Sequence, residues 1–148
     1  MALYSEKSAA SILVPLPFAE WRQRPAWPAV SLSNTDPVEE LSRHIGDLRL
    51  IVLDFPKFSD GRAYSQARLL RGRLGYAGEL RAAGNVLQDQ ALFMLRCGFD
   101  SFDSDQPGFG EALARARSLF SVVYQPAEDD RAPASLLRLR TASLSPRA

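Results

Sequence analysis

Leu50-Ile51-Val52-Leu53, running into Asp54-Phe55, is the stretch whose reading decides the fold. A strand with no polar alternation is buried on both faces, as the inner strands of a parallel sheet are. Just beyond it, Asp60-Gly61-Arg62 opens a helix with Ala63, Ala67, Leu70 and Leu74 as its apolar stripe, and Gly75 ends it. The pattern is strand, short turn, helix, glycine. It recurs on both sides.

Upstream, Ala29-Val30-Ser31-Leu32-Ser33 alternates as a short strand. A helix follows from Asp36-Pro37-Val38-Glu39, with Asp36 as cap, Pro37 in the first turn and Glu39 closing a capping box. Downstream, Glu79-Leu80-Arg81-Ala82-Ala83 is a third strand, and Gly84-Asn85 leads into a third helix. Asn85 is its expected cap, Leu87, Ala91 and Met94 its core face, and Gly98 its stop. Phe99 to Asp103 forms the fourth strand. Its helix carries Phe109, Leu113, Ala116 and Phe120, and residues 121–124 add a short final strand.

Residues 29–120 therefore read as four consecutive βα units, an α/β fold with a parallel sheet and right-handed crossovers. A closed eightfold barrel needs about 250 residues. Two arrangements remain, a small doubly wound sheet or a half-barrel with sequential strand order. Polar alternation at Glu79 and Arg81 leans toward the half-barrel. Such a sheet leaves edges and a concave face uncovered, which points to a homodimer or a stable complex. The expected organisation is an extended N-terminal arm at residues 1–28, the α/β domain at 29–125 and a mostly disordered tail at 126–148.

Composition limits the function. Lys and Arg number 18 against 17 Asp and Glu, a net charge of +1, so no global positive field holds a phosphate backbone and nucleic acid is not an expected partner. The apolar run Ile12 to Phe18 is interrupted by Pro15 and Pro17 and falls far short of the roughly 20 residues of a membrane span. It also lacks a basic leader, so neither a membrane segment nor a signal peptide is expected. The single cysteine fits a reducing cytoplasm. One cysteine and one histidine make a Cys/His metal site within the chain improbable, and no GxGxxG, Walker loop or CxxC is present. No cofactor is expected.

Ligands of parallel α/β folds bind beyond the carboxyl ends of the strands. The most informative such end is Asp54 to Arg62, which sets Lys57 and Arg62 beside a helix start capped by Asp60. Arg62 and Arg81 are candidates for clamping an oxyanion, since guanidinium forms paired hydrogen bonds to such groups. Lys57, Asp60, Arg62, Arg81 and Asn85 make up the candidate anion site. The structural alternative is that Asp60 merely caps, Arg62 pairs with a local carboxylate, and Arg81 pairs with Asp54, Glu79 or Asp103. Arg71 and Arg73 are expected to pair with acids or face water. Cys97, at the end of the third helix, reads as a packed and unreactive thiol. His44 reads as solvent-facing without a partner, and Asp89 as a partner for an arginine.

Four blocks carry a resemblance: Phe55-Pro56-Lys57-Phe58-Ser59-Asp60-Gly61-Arg62-Ala63-Tyr64-Ser65, then Gly78 to Ala82, Asp89-Gln90, and Arg96 to Asp100. Over about residues 28–125 the chain resembles a bacterial family, a domain of unknown function, whose members are commonly labelled oxidoreductases of sulfite reduction. The label follows from genes lying beside assimilatory sulfite reductase. One departure is Asn85, where an aspartate cap is expected. The resemblance implies a sulfur-assimilation context, with sulfite reductase as a partner, and supplies no catalytic residues. Three functions follow: an accessory protein binding a partner enzyme or a small oxyanion, a small-molecule enzyme or oxidoreductase with its site at the strand ends, or a structural subunit of the reductase.

Overall fold

A run that is apolar on both faces belongs in the middle of a sheet, and that is where Leu50–Phe55 lies in the computed structural model of the chain. The structure describes residues 2–5, 13–119, 122–129 and 131–138. The strands are β1 (Ala2–Ser5), β2 (Leu16–Pro17), β3 (Ala29–Leu32), β4 (Leu50–Phe55), β5 (Glu79–Gly84) and β6 (Ser101–Ser104), in the spatial order β1-β6-β5-β4-β3-β2. From β2 to β6 all neighbours are parallel, and β1 alone is antiparallel, against β6.

The order from β3 to β6 is sequential. It has no point where the order reverses, so the doubly wound alternative falls away. Repeated right-handed crossovers in one direction put every helix on the same face. The helical elements are α1 (Phe18–Trp21), a 3-10 helix (Val38–His44), α2 (Arg62–Arg68) with a wider π turn behind it (Leu69–Arg73), α3 (Ala91–Arg96) after a 3-10 turn (Gln88–Gln90), and α4 (Phe109–Ser118). Their buried side chains form one cluster with Val30, Leu32, Ile51, Leu53, Phe55, Leu80, Ala82 and Phe102 of the sheet. Each large apolar side chain removed from water there contributes about 1.5–3 kcal/mol. The other face carries a smaller cluster, Ala29, Leu50 and Val52, against which Leu13 and Ala83 pack.

The N-terminal segment supplies both outer strands, β1 at one edge and β2 at the other. The expected bare edges of β3 and β6 are thus paired by the chain's own arm. Trp21 is buried and donates Nε1–H to Trp27 O at 3.1 Å, while Trp27 donates to Val14 O at 3.0 Å. His44 is not partnerless, for its ring meets Trp21 edge to face at 5.6 Å.

Two expected caps do other work. Asp36 Oδ2 accepts the Ser33 N–H at 2.7 Å, closing the turn after β3, and the helix behind it is 3-10 with no side-chain cap. Asn85 is exposed and donates its backbone N–H to Phe55 O at 2.7 Å, which extends the β4–β5 ladder, and no side chain caps the helix that follows. The final strand is reduced to one bridge, Val123 with Pro133. Phe120, Ser121 and residues 139–148 of the expected tail lie outside the described residues. Before them, Arg96 holds Asp129 at 2.7 Å and residues 134–138 form a helical turn.

Candidate functional site at the carboxyl ends of the strands

Side chains alternate across a strand, so the registers define rows on the helix-free face. Ala29, Leu50 and Glu79 make the first row, at the amino ends. Ser31, Val52, Arg81 and Ser101 make the second. Asp54, paired with Ala83, starts the third at the carboxyl ends, and one step further along β6 brings Asp103 to the same level. The rows turn from apolar to polar along the strands.

The second row holds a network. Arg81 donates Nη2–H to Glu79 Oε1 at 2.8 Å and Nε–H to the same oxygen at 3.2 Å, and the Ser101 hydroxyl donates to that oxygen at 2.6 Å. Both charged side chains are at least nine-tenths buried. Glu79 lies two residues nearer the amino end, so the Arg81 guanidinium folds back along its own strand, away from the turn after β4. Of the three carboxylates open to Arg81 from the sequence, Glu79 is the partner.

Asp60 stands on the turn between β4 and α2. Its carboxylate accepts Arg62 Nε–H at 3.0 Å, Arg62 Nη2–H at 2.6 Å and the Asn34 amide at 2.7 Å. Hydrogen bonds from the Arg62 side chain and backbone hold the Asp60 carboxyl down to about 2, and the same pairing raises Arg62. The turn is therefore a closed ion pair tied to the loop after β3. Lys57 and Asn85 are exposed, and neither side chain makes an ion pair among the described residues. Lys57, Asp60 and Arg62 share one loop, whereas Arg81 belongs to the buried network and Asn85 to the end of β5.

Sequence reasoning passed over Asp54 as a site residue in its own right. It lines a cleft of about 440 Å3 at the carboxyl ends of β3 and β4, with Ser31, Ser33, Asp36, Phe18 and Arg22. Partial burial raises its carboxyl above the usual range. The β5 end is kept open beside it by Gly84, whose φ is +89° and where a Cβ would stand 2.7 Å from Phe55 O and 2.6 Å from Asp54 Oδ1. The legible signal was positional: Asp54 is the one polar residue in the β4 run. At the opposite end of the sheet, Arg71 donates to Gly98 O, Tyr76 O, Gly78 O and Asp100, with the carbonyls at 2.9, 2.6 and 2.9 Å. This agrees with the expected pairing of basic and acidic stretches. Cys97 is fully buried, and burial pushes its thiol up. No helix among the described residues is long and apolar enough to cross a membrane.

Sequential parallel strands, helices on one face and a polar row at the carboxyl ends define a small α/β protein with an open sheet. The chain belongs to the family described as bacterial protein of unknown function (DUF934), whose model matches residues 29–135. No curated protein and no solved structure matches it.

Proposed function

We propose that the protein is a cytoplasmic accessory component of assimilatory sulfite reduction that works by binding a partner enzyme. The sulfur context rests on the family resemblance. The observation that favours a protein partner over a small oxyanion is the state of the two arginines. Arg62 and Arg81 already spend their paired donors on Asp60 and Glu79. Sulfite or sulfate would have to displace a carboxylate, and at Glu79 the displaced charge is buried, at a cost of several kcal/mol.

The test is co-migration of the purified chain with assimilatory sulfite reductase on size exclusion, together with growth of a deletion strain. The expected result is a stable complex and a strain that grows on cysteine but poorly on sulfate and sulfite. Normal growth on sulfite would end this reading. Melting scans with millimolar sulfite or sulfate are expected to show no shift, and a rise of several degrees would restore the oxyanion.

A second reading, a small-molecule enzyme or oxidoreductase, is favoured by Asp54 alone, an acid with a raised pKa in a cleft where this fold class places ligands. Asp54→Asn separates the two. On the accessory reading it complements the deletion strain. On the enzymatic reading it fails to do so with its fold intact.

A further inference from the structure

The turn before α3 and the body of α4 enclose an apolar groove of about 390 Å3 on the outer, helical side of the molecule. Leu92 forms one wall. Ala112, Ala116 and Leu119 form the other at four- and three-residue steps, so they share one face of α4. The two alanines keep the floor shallow, and Leu119 is 61% exposed. A leucine that open to water at the lip of an apolar groove is unlike the buried Leu113 one turn and a half earlier. It marks a surface suited to cover.

The rim says what the cover is. Asp89 lies on the α3 wall and Arg115 on the α4 wall, both exposed. Neither side chain makes an ion pair among the described residues, unlike Arg62, Arg71, Arg81 and Arg96. One wall carries an unpaired acid and the other an unpaired base. Under a two-fold rotation such a pattern is its own complement, because each copy then offers its acid to the other's base.

We propose that this groove is the interface of a homodimer, in which Leu119 of each copy is covered by the α3–α4 groove of the other and Asp89 of each faces Arg115 of the other. The inference is independent of any role in sulfite reduction.

The experiment is sedimentation equilibrium of the full chain, alone and as two charge variants, with circular dichroism to show that each variant is folded. Wild type is expected at twice the 16.4 kDa chain mass at tens of micromolar. Asp89→Arg and Arg115→Asp each place like charges opposite one another twice, and each is expected to weaken the dimer by about tenfold or more. Mixed in equal amounts, the two variants restore opposite charges at both contacts, so the mixture is expected to dimerise as wild type does. A monomeric wild type overturns the proposal. So does a dimer indifferent to the single variants, or a mixture that stays apart.

Discussion

The two faces of the sheet are made by the same strands and are built on different principles. The helix-side face is apolar from Val30 and Ile51 to Phe55 and Phe102, apart from Ser104, whose hydroxyl donates to Val86 O at 3.1 Å. The helix-free face buries only Ala29, Leu50 and Val52 as apolar residues and then Glu79, Arg81 and Ser101 as a polar set. Where helices cover a sheet, apolar area alone suffices. Where none do, the buried polar groups take one another as partners through Glu79 Oε1, while Glu79 Oε2 is left without a hydrogen bond. The first face gains stability from contact, while the second has most to lose from any change that leaves one charge alone.

The largest expected effect therefore comes from the helix-side face. Phe55 is fully buried and its ring meets Tyr64 and Phe99 at 5.1 and 5.8 Å. Phe55→Ala is expected to lower unfolding free energy by about 3–5 kcal/mol, read from urea midpoints. The sharper contrast is on the other face. Arg81→Met strands Glu79 and is expected to cost about 3 kcal/mol, whereas Glu79→Leu with Arg81→Met is expected to recover most of it. A double variant as unstable as the single one would show that the pair gives net stability rather than mutual satisfaction.

Next in size is a pH effect seated under the helices. The Tyr64 hydroxyl is buried with no hydrogen-bond partner, and burial lifts its pKa from 10.0 to about 12. The folded state then holds a proton that the unfolded state gives up. This contribution is complete below pH 10 and is lost as pH rises toward 12. Urea midpoints are expected to fall between pH 9.5 and 11.5, and Tyr64→Phe to flatten part of that fall. The rest is shared by Tyr76, which burial raises further, and by the Cys97 thiol, which burial also raises. The smallest effect is expected at the carboxyl end of the helix-free face. Asp54→Asn removes a charge that burial disfavours, and stability should rise or hold within about 0.5 kcal/mol.

The four repeating units were legible because each rests on a local rule. The β4 run shows burial on both faces, and Gly75 and Gly98 stop helices at positive φ, 66° and 94°. Ala63, Ala67 and Leu70 face the core as their spacing predicts. β1 was not legible. Four residues with little alternation pair with a strand at the far end of the sequence, and local patterning carries no trace of that. The caps at Asp36 and Asn85 failed because each turn took the residue for its own closure, Asp36 by its side chain and Asn85 by its backbone. Of the candidate site, Lys57, Asp60 and Arg62 lie together because they are neighbours in sequence, and the pairing of Arg62 with Asp60 is the local alternative that the sequence already offered. The route of Arg81 back to Glu79 needed the strand direction and the rotamer, which a sequence does not contain. Asp54 was visible as a strand end, yet its place in a cleft depends on β2 and α1, contributed by the segment before β3.

The antiparallel strand β1 also orders events in time. Ala2 pairs with Ser104, so the first strand made must wait for the last before it can dock. Closing a loop of that length costs about 4 kcal/mol beyond a fixed term, for a strand of four residues. The units from β3 to β6 each gather from neighbouring sequence and can form as the chain leaves the ribosome. Until β1 arrives, β6 presents an unpaired edge, and this is the interval in which nascent chains are exposed to one another. A four-residue strand at the sheet edge opens more readily than the sheet centre, so its amides and those of β6 should exchange faster than those of β4.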